Sequence, residues 1–280
     1  MAKEPTIGVL SLQGAFAEHQ EIMESLGCKT IQIKKPSQLD LIDGLILPGG
    51  ESTAMGLIGS GELWSKLQNF VKSKPVWGTC AGLILLCDSC VGASAVITNG
   101  QSLIGGLSGV LVCRNYFGSQ ISSFEMATPP PPGFQEDYPG VFIRAPAILT
   151  VGSDVTILGK VTATPCRQAA VVLKELDEKI AKGEKVVMMK VVDALKRDED
   201  NHIIHGSAIP MSSTDQNDQE EKKDVEEFKI VLPGAAEGSN AREVICAIRK
   251  ENILGTAFHP ELTQDSRWHE YFRNMVMEFQ

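Results

Sequence analysis

The chain has 280 residues, 43% of them hydrophobic and 22% charged, with a formal net charge of -9. That balance describes a soluble globular protein, with enough chain for one large α/β domain carrying insertions or for two small domains. It argues against two classes: an acidic chain lacks the basic stripe that a nucleic-acid binder needs, and no apolar run approaches the length of a membrane span.

The first residues, MAKEPTIGVL, run almost directly into a strand and lack the layout of a signal peptide, so a cytoplasmic location is expected. IGVLSL (7–12) reads as a buried strand and AFAEHQEIMESLG (15–27) as a helix with Gly27 at its C-terminal cap. TIQIK (30–34) is a second strand, and LDLIDGLILP (39–48) contains a third. EST (51–53) offers N-cap residues for a helix, with a longer helix near 62–73. PVWGT (75–79) is a fourth strand, and AGLILLCDSC begins the next helix. Strand–helix alternation at this spacing predicts a parallel sheet covered on both faces. Sites in such sheets lie beyond the carboxyl ends of the strands, where Gly49-Gly50 and Cys80 fall.

From 103 to 173 the texture changes to short β-like runs, expected to extend the sheet with antiparallel strands, around a PPPPG loop at 129–133. Residues 174–229 are strongly charged and read as an insertion, with 212–227 as a solvated or disordered loop. Globular character returns at REVICAIRKENILGTAFHPEL (242–262), and DSRWHEYFRNMVMEF (265–279) predicts a terminal helix with its aromatics and methionines toward the core. The whole chain is expected to form one domain.

Seven cysteines, at 28, 80, 87, 90, 113, 166 and 246, lie mostly in apolar runs, which suits reduced thiols. Cys87 and Cys90 form a lone CxxC with no second pair or histidine at ligand spacing, so no metal site is expected and both are assigned to buried helix packing. Cys80 differs. Gly78-Thr79-Cys80-Ala81-Gly82 fits the sharp strand-to-helix turn that presents a nucleophile, where small neighbours let strand and helix approach. The following helix N-terminus would favour the thiolate. A buried cysteine beside two incidental glycines is the plain alternative.

A cysteine nucleophile needs a base. Of five histidines, only His259 ends an apolar β-run, and Glu261 two residues on can share its side and orient the imidazole. His19 falls in the first helix, His202 and His205 flank the charged insertion, and His269 sits in the terminal helix. Gly49-Gly50 before a helix suits an oxyanion hole, or equally a phosphate, although no P-loop pattern accompanies it.

Together, GVLSLQGAFAEH (8–19), LILPGGEST (45–53), PVWGTCAGLILL (75–86), RNYFGSQISSFE (114–125), VFIRAP (141–146) and TAFHPELTQDSRWH (256–269) resemble the class I glutamine amidotransferases. Within them, LQGAFAEH and PGGEST narrow the likeness to the PdxT-type glutaminase subunits of pyridoxal 5′-phosphate synthase. The resemblance implies a three-layer α/β/α, flavodoxin-like fold with a mostly parallel sheet and added antiparallel strands. It implies hydrolysis of L-glutamine to glutamate and ammonia through a thioester on Cys80, with His259 moving the proton and Glu261 holding His259. It further implies that Gly50 and Ala81 bind the oxyanion, with Gln13 joining on activation, and that Gly49, Gly50, Glu51, Arg114, Ile143 and Arg144 line the glutamine site. No cofactor is implied, and the ammonia would pass to a PdxS-type synthase partner. Two alternatives stay open: a non-catalytic regulatory subunit of the same complex, and a glutaminase subunit of another amidotransferase.

Overall fold

The computed structural model describes residues 4–59, 61–92, 103–118, 123–183, 189–190, 196–197, 203–204, 232–234 and 240–280. The expected loop at 212–227 lies outside the described residues.

The first half alternates as its sequence predicts: β1 (Thr6–Leu10), α1 (Phe16–Ser25), β2 (Lys29–Ile33), β3 (Gly44–Leu47), α2 (Ser52–Ile58), α3 (Glu62–Val71), β4 (Val76–Thr79) and α4 (Ala81–Leu86). β5 (Cys87–Val91), β6 (Leu107–Cys113), β7 (Phe124–Thr128), β8 (Tyr138–Phe142), β9 (Ala147–Thr150), β10 (Thr156–Ala163) and α5 (Arg167–Ala181) follow. After three two-residue strands, β11 (Met189–Lys190), β12 (Lys196–Arg197) and β13 (Ile203–Ile204), come β14 (Arg242–Lys250), β15 (Ile253–Thr256) and α6 (Arg267–Phe279).

The large sheet runs β11-β5-β6-β9-β14-β15-β4-β3-β1-β2, with β10 on β14. From β2 to β15 the neighbours are parallel; beyond β15, β14 and β9 run antiparallel to their neighbours. The parallel half buries both faces. Trp77 of β4 packs beneath His19 of α1 and against His269 and Phe272 of α6. The adjacent Gly78 faces the other way, and a Cβ there would lie 2.6–2.7 Å from backbone atoms of Gly82 and Leu83 in α4. Alternation along the strand thus assigns α1 and α6 to one face and α4 to the other.

Two expectations need correction. The helix from Ala81 stops at Leu86, and Cys87 and Cys90 belong to β5, both buried as free thiols. Both thiols have pKa values raised, first by burial. A short apolar run fits a buried strand as well as a buried helix, so periodicity alone could not separate them. Residues 174–181, read as the start of the insertion, form the second half of α5, whose Ala169, Leu173 and Leu176 are buried at helical spacing. The charges that suggested an insertion lie on the opposite side of an amphipathic helix. In α6, Trp268, His269, Phe272, Met275 and Val276 are buried as expected, whereas Met277 and Phe279 are exposed.

Candidate active site

Four parallel strands end on one side of the sheet, and each delivers a loop to the same place: Ser11–Ala15 after β1, Gly49–Glu51 after β3, Cys80 after β4 and Ala257–Glu261 after β15. Cys80 has φ 46 and ψ -101, backbone that a non-glycine residue adopts only at a cost of about 1–3 kcal/mol. Three features hold it there. Its N–H donates to the carbonyl of Thr256 at 2.9 Å, continuing the register in which Thr79 pairs with Thr256. Gly78 and Gly82 let β4 and α4 touch, and any Cβ on Gly82 would strike the carbonyl oxygen of Leu47. The expected elbow is therefore present, strain included. The helix after it has only six residues.

His259 lies beside Cys80. Both reach toward the α-carbon of Gly49, where a Cβ would collide with the imidazole. The backbone N–H of His259 donates to Val141 at the end of β8 (2.8 Å), and its Nδ1 is 2.7 Å from Oε1 of Glu261. Burial alone would depress the pKa of His259. The charge and hydrogen bond of the Cys80 sulfur, with the Glu261 carboxylate, outweigh it and push the imidazole up to about 11. Tyr138 braces the same segment: its buried hydroxyl lies 3.2 Å and 3.0 Å from the carbonyls of Pro260 and Asp265, and 2.9 Å from Thr263 Oγ1. Burial raises the pKa of this phenol, so it stays a donor.

Cys80 and His259 open onto a cavity of about 180 Å³ whose lining also includes Gln13, Gly50, Glu51, Ala81, Arg114, Ile143 and Arg144. Gly49 stands behind His259 rather than in the lining, and its carbonyl accepts from the Ala15 N–H at 3.2 Å. Gly50 has φ +153, and a Cβ on it would overlap the Gln13 amide oxygen. That oxygen accepts the Glu51 N–H at 2.6 Å, so Gln13 is engaged with the glycine-pair loop. Glu51 caps α2, accepting from the Thr53 and Ala54 N–H groups at 3.1 and 2.7 Å. Partial burial would raise its pKa, but those bonds and Arg114 lower it, keeping the cap ionised.

Arg114, from the residue after β6, is buried. Its Nη2 is 3.3 Å from both Ser52 Oγ and Thr53 Oγ1 and 3.8 Å from Glu51, while Nη1 is buried with no partner among the described residues. An unpaired buried guanidinium N–H in a cavity wall suits an anionic ligand group. Arg144, at φ 49, is exposed at the rim. Among the described residues no group of three His, Cys, Asp or Glu is arranged to hold a metal ion, and no helix is long and apolar enough to cross a membrane.

Sequence reasoning set aside two histidines that the fold brings behind Glu261. His19 is fully buried; its Nδ1 lies 2.9 Å from His269 Nε2, and its Nε2 lies 3.3 Å from both Thr79 Oγ1 and Glu261 Oε2. One signal existed: His19 and Met23 share the buried face of α1 at a four-residue spacing.

Residues 9–183 match the model of the SNO glutamine amidotransferase family. A probable pyridoxal 5′-phosphate synthase subunit PDX2 of Arabidopsis thaliana is 39% identical over 98% of this chain and 87% of its own length. The PdxT subunit of pyridoxal 5′-phosphate synthase from Leifsonia xyli is 32% identical over 97% of this chain and 96% of its own. Its counterpart from Bacillus velezensis is 50% identical over 55% of this chain and 75% of its own. A crystal structure of a glutamine amidotransferase superimposes with a TM-score of 0.59 at 26% identity, covering 96% of this chain and 98% of that one.

Proposed function

Because the chain belongs to the SNO glutamine amidotransferase family, we propose that it is the glutaminase subunit of a pyridoxal 5′-phosphate synthase, with Cys80 as nucleophile. The relatives named PdxT and PDX2 support the assembly and its product. One observation carries the catalytic part: a cysteine on a strained elbow, backed by His259 and Glu261, faces a cavity walled by a buried cation with a spare N–H.

The chemistry follows from those positions. The glutamine α-carboxylate sits on Arg114, a guanidinium being able to hold it through two parallel N–H bonds. The Cys80 thiolate attacks the side-chain amide carbon, and the oxyanion is met by the N–H groups of Gly50 and Ala81. The proton that His259 holds passes to the leaving nitrogen, releasing ammonia and leaving a glutamyl thioester. His259 then takes a proton from water, which cleaves the thioester to glutamate. Glu261 holds the imidazole in one tautomer and stabilises its charged form. This route consumes no cofactor. Gln13 now ties the glycine-pair loop to the loop after β1, and we place its contribution to the oxyanion hole in the partner-bound state. The ammonia goes to a PdxS-type synthase in the cytoplasm.

The test is ammonia release from glutamine by wild type and Cys80→Ala, each with and without a PdxS-type partner. Alanine tolerates the φ 46 backbone no worse than cysteine, so the variant should fold. Release is expected from the wild type, increased by the partner, and abolished in the variant. Equal release from Cys80→Ala would overturn the nucleophile assignment. Absence of binding and activation by the synthase would overturn the pathway.

A further inference from the structure

Glu261 is a buried carboxylate with only one oxygen accounted for. Oε1 serves His259, whereas Oε2 has no hydrogen-bond partner among the described residues. Burying a carboxylate oxygen without a donor is costly. The nearest candidate is His19, whose Nε2 stands 3.3 Å away while also 3.3 Å from Thr79 Oγ1, one residue before Cys80. We propose that His19 is a positioning residue for the catalytic triad, sharing one Nε2–H between Glu261 Oε2 and Thr79 Oγ1 and thereby fixing the carboxylate against His259. This rests on the glutaminase reading above.

The histidine behind it decides the tautomer. His269 Nδ1 is buried and unpartnered among the described residues, and His269 Nε2 meets His19 Nδ1 at 2.9 Å. If His19 carried its proton on Nδ1, His269 would hold an orphaned N–H on its own Nδ1, and His19 would turn a lone pair toward the carboxylate. With protons on both Nε2 atoms, His269 donates to His19 and His19 donates onward, leaving only an unpaired acceptor, which is the cheaper defect. Both rings are neutral in this arrangement. Burial, with His269 and His259 nearby, holds His19 well below the ordinary histidine value, and burial pushes His269 down to about 3. His19 therefore approaches the Glu261 carboxylate as a neutral N–H donor rather than as a cation in an ion pair. It also explains why LQGAFAEH belongs to the site from both ends: Gln13 holds the loop at Glu51, and His19, further along, holds Glu261.

The test compares wild type, His19→Leu and His19→Gln in the full chain with its synthase partner, over about pH 6 to 11.5, a window that brackets His259 at about 11. Around His259 stand Cys80, Glu261 and His19, with Glu51, Arg114 and Arg144 in the cavity wall, His269 behind His19 and Tyr138 behind Glu261. None of these others is altered. His19→Leu should lower kcat about 10- to 100-fold with KM little changed. It should also move the alkaline limb of the profile to lower pH, because a misplaced Glu261 stabilises the imidazolium less. His19→Gln keeps an N–H donor and should recover most of the rate and the wild-type limb. A role confined to packing would scale the rate without moving the limb. The rate of iodoacetamide alkylation at Cys80, read by peptide mass spectrometry at neutral pH, should fall in His19→Leu and return in His19→Gln, with no substrate needed. An unshifted limb in His19→Leu, or a glutamine variant as impaired as the leucine one, overturns the proposal. Failure of the glutaminase reading looks different: the wild type itself would release no ammonia, while the alkylation comparison would still decide on His19.

Discussion

Replacing Arg114 by methionine separates a substrate-binding cation from an ordinary ion pair. In the folded protein its partners are weak: two hydroxyl oxygens at 3.3 Å, a carboxylate at 3.8 Å on a side chain 46% exposed, and nothing on Nη1 among the described residues. Burying such a charge is costly, and exchange for an apolar side chain of similar reach is often neutral or stabilising. Arg114→Met should therefore change unfolding free energy by no more than about 1 kcal/mol, about 2–4 °C in Tm for a chain of this size. Substrate binding should respond quite differently. Hydrogen bonds to charged groups contribute about 1.5–3 kcal/mol each, so losing a two-pronged grip on the α-carboxylate should cost at least about 3 kcal/mol, or about 150-fold or more. That loss should appear in KM with kcat nearly intact, since the α-carboxylate is held equally in the ground and transition states. Arg114→Lys should fall between, because it keeps the charge without the fork. The assay is steady-state ammonia release with the synthase partner, alongside thermal unfolding. An unchanged KM accompanied by a large drop in Tm would refute the reasoning and make Arg114 a structural residue.

Two other outcomes follow from the site. Because His259 is raised from 6.5 to about 11, its charged form stabilises the fold fully below about pH 6.5, and that contribution fades as pH climbs toward 11. The Tm of the wild type should accordingly exceed that of His259→Asn most at neutral or lower pH, with the gap narrowing by pH 10; a gap that widens with pH would contradict the assignment. Tyr138→Phe removes a hydroxyl that touches Pro260, Thr263 and Asp265 and leaves the two carbonyls to share the Thr263 hydroxyl alone. It should cost about 1–3 kcal/mol in urea unfolding and lower kcat, whereas unaltered kcat would show that the His259–Glu261 segment keeps its place without it.

What could be read from the sequence was the part of the candidate site whose geometry is local. The elbow at Cys80 is specified within five residues, because Gly78 and Gly82 are needed by contacts that the turn itself creates. His259 and Glu261 converge because two residues of extended chain return a side chain to the same side. β15 runs parallel beside β4 and so ends on the same edge of the sheet as the Cys80 turn, a pairing that the β-run before His259 does not reveal by itself. The histidine pair was hidden for the opposite reason. His19 and His269 lie 250 residues apart, and each looks ordinary on its own helix. Only the face of the sheet that Trp77 marks brings α1 and α6 together over Glu261. A polar residue at a core position of an amphipathic helix is nonetheless a cost that must be recovered by some partner. His19 beside Met23 on the buried face of α1 is such a residue, and the open oxygen of Glu261 is the partner that gives that cost a function.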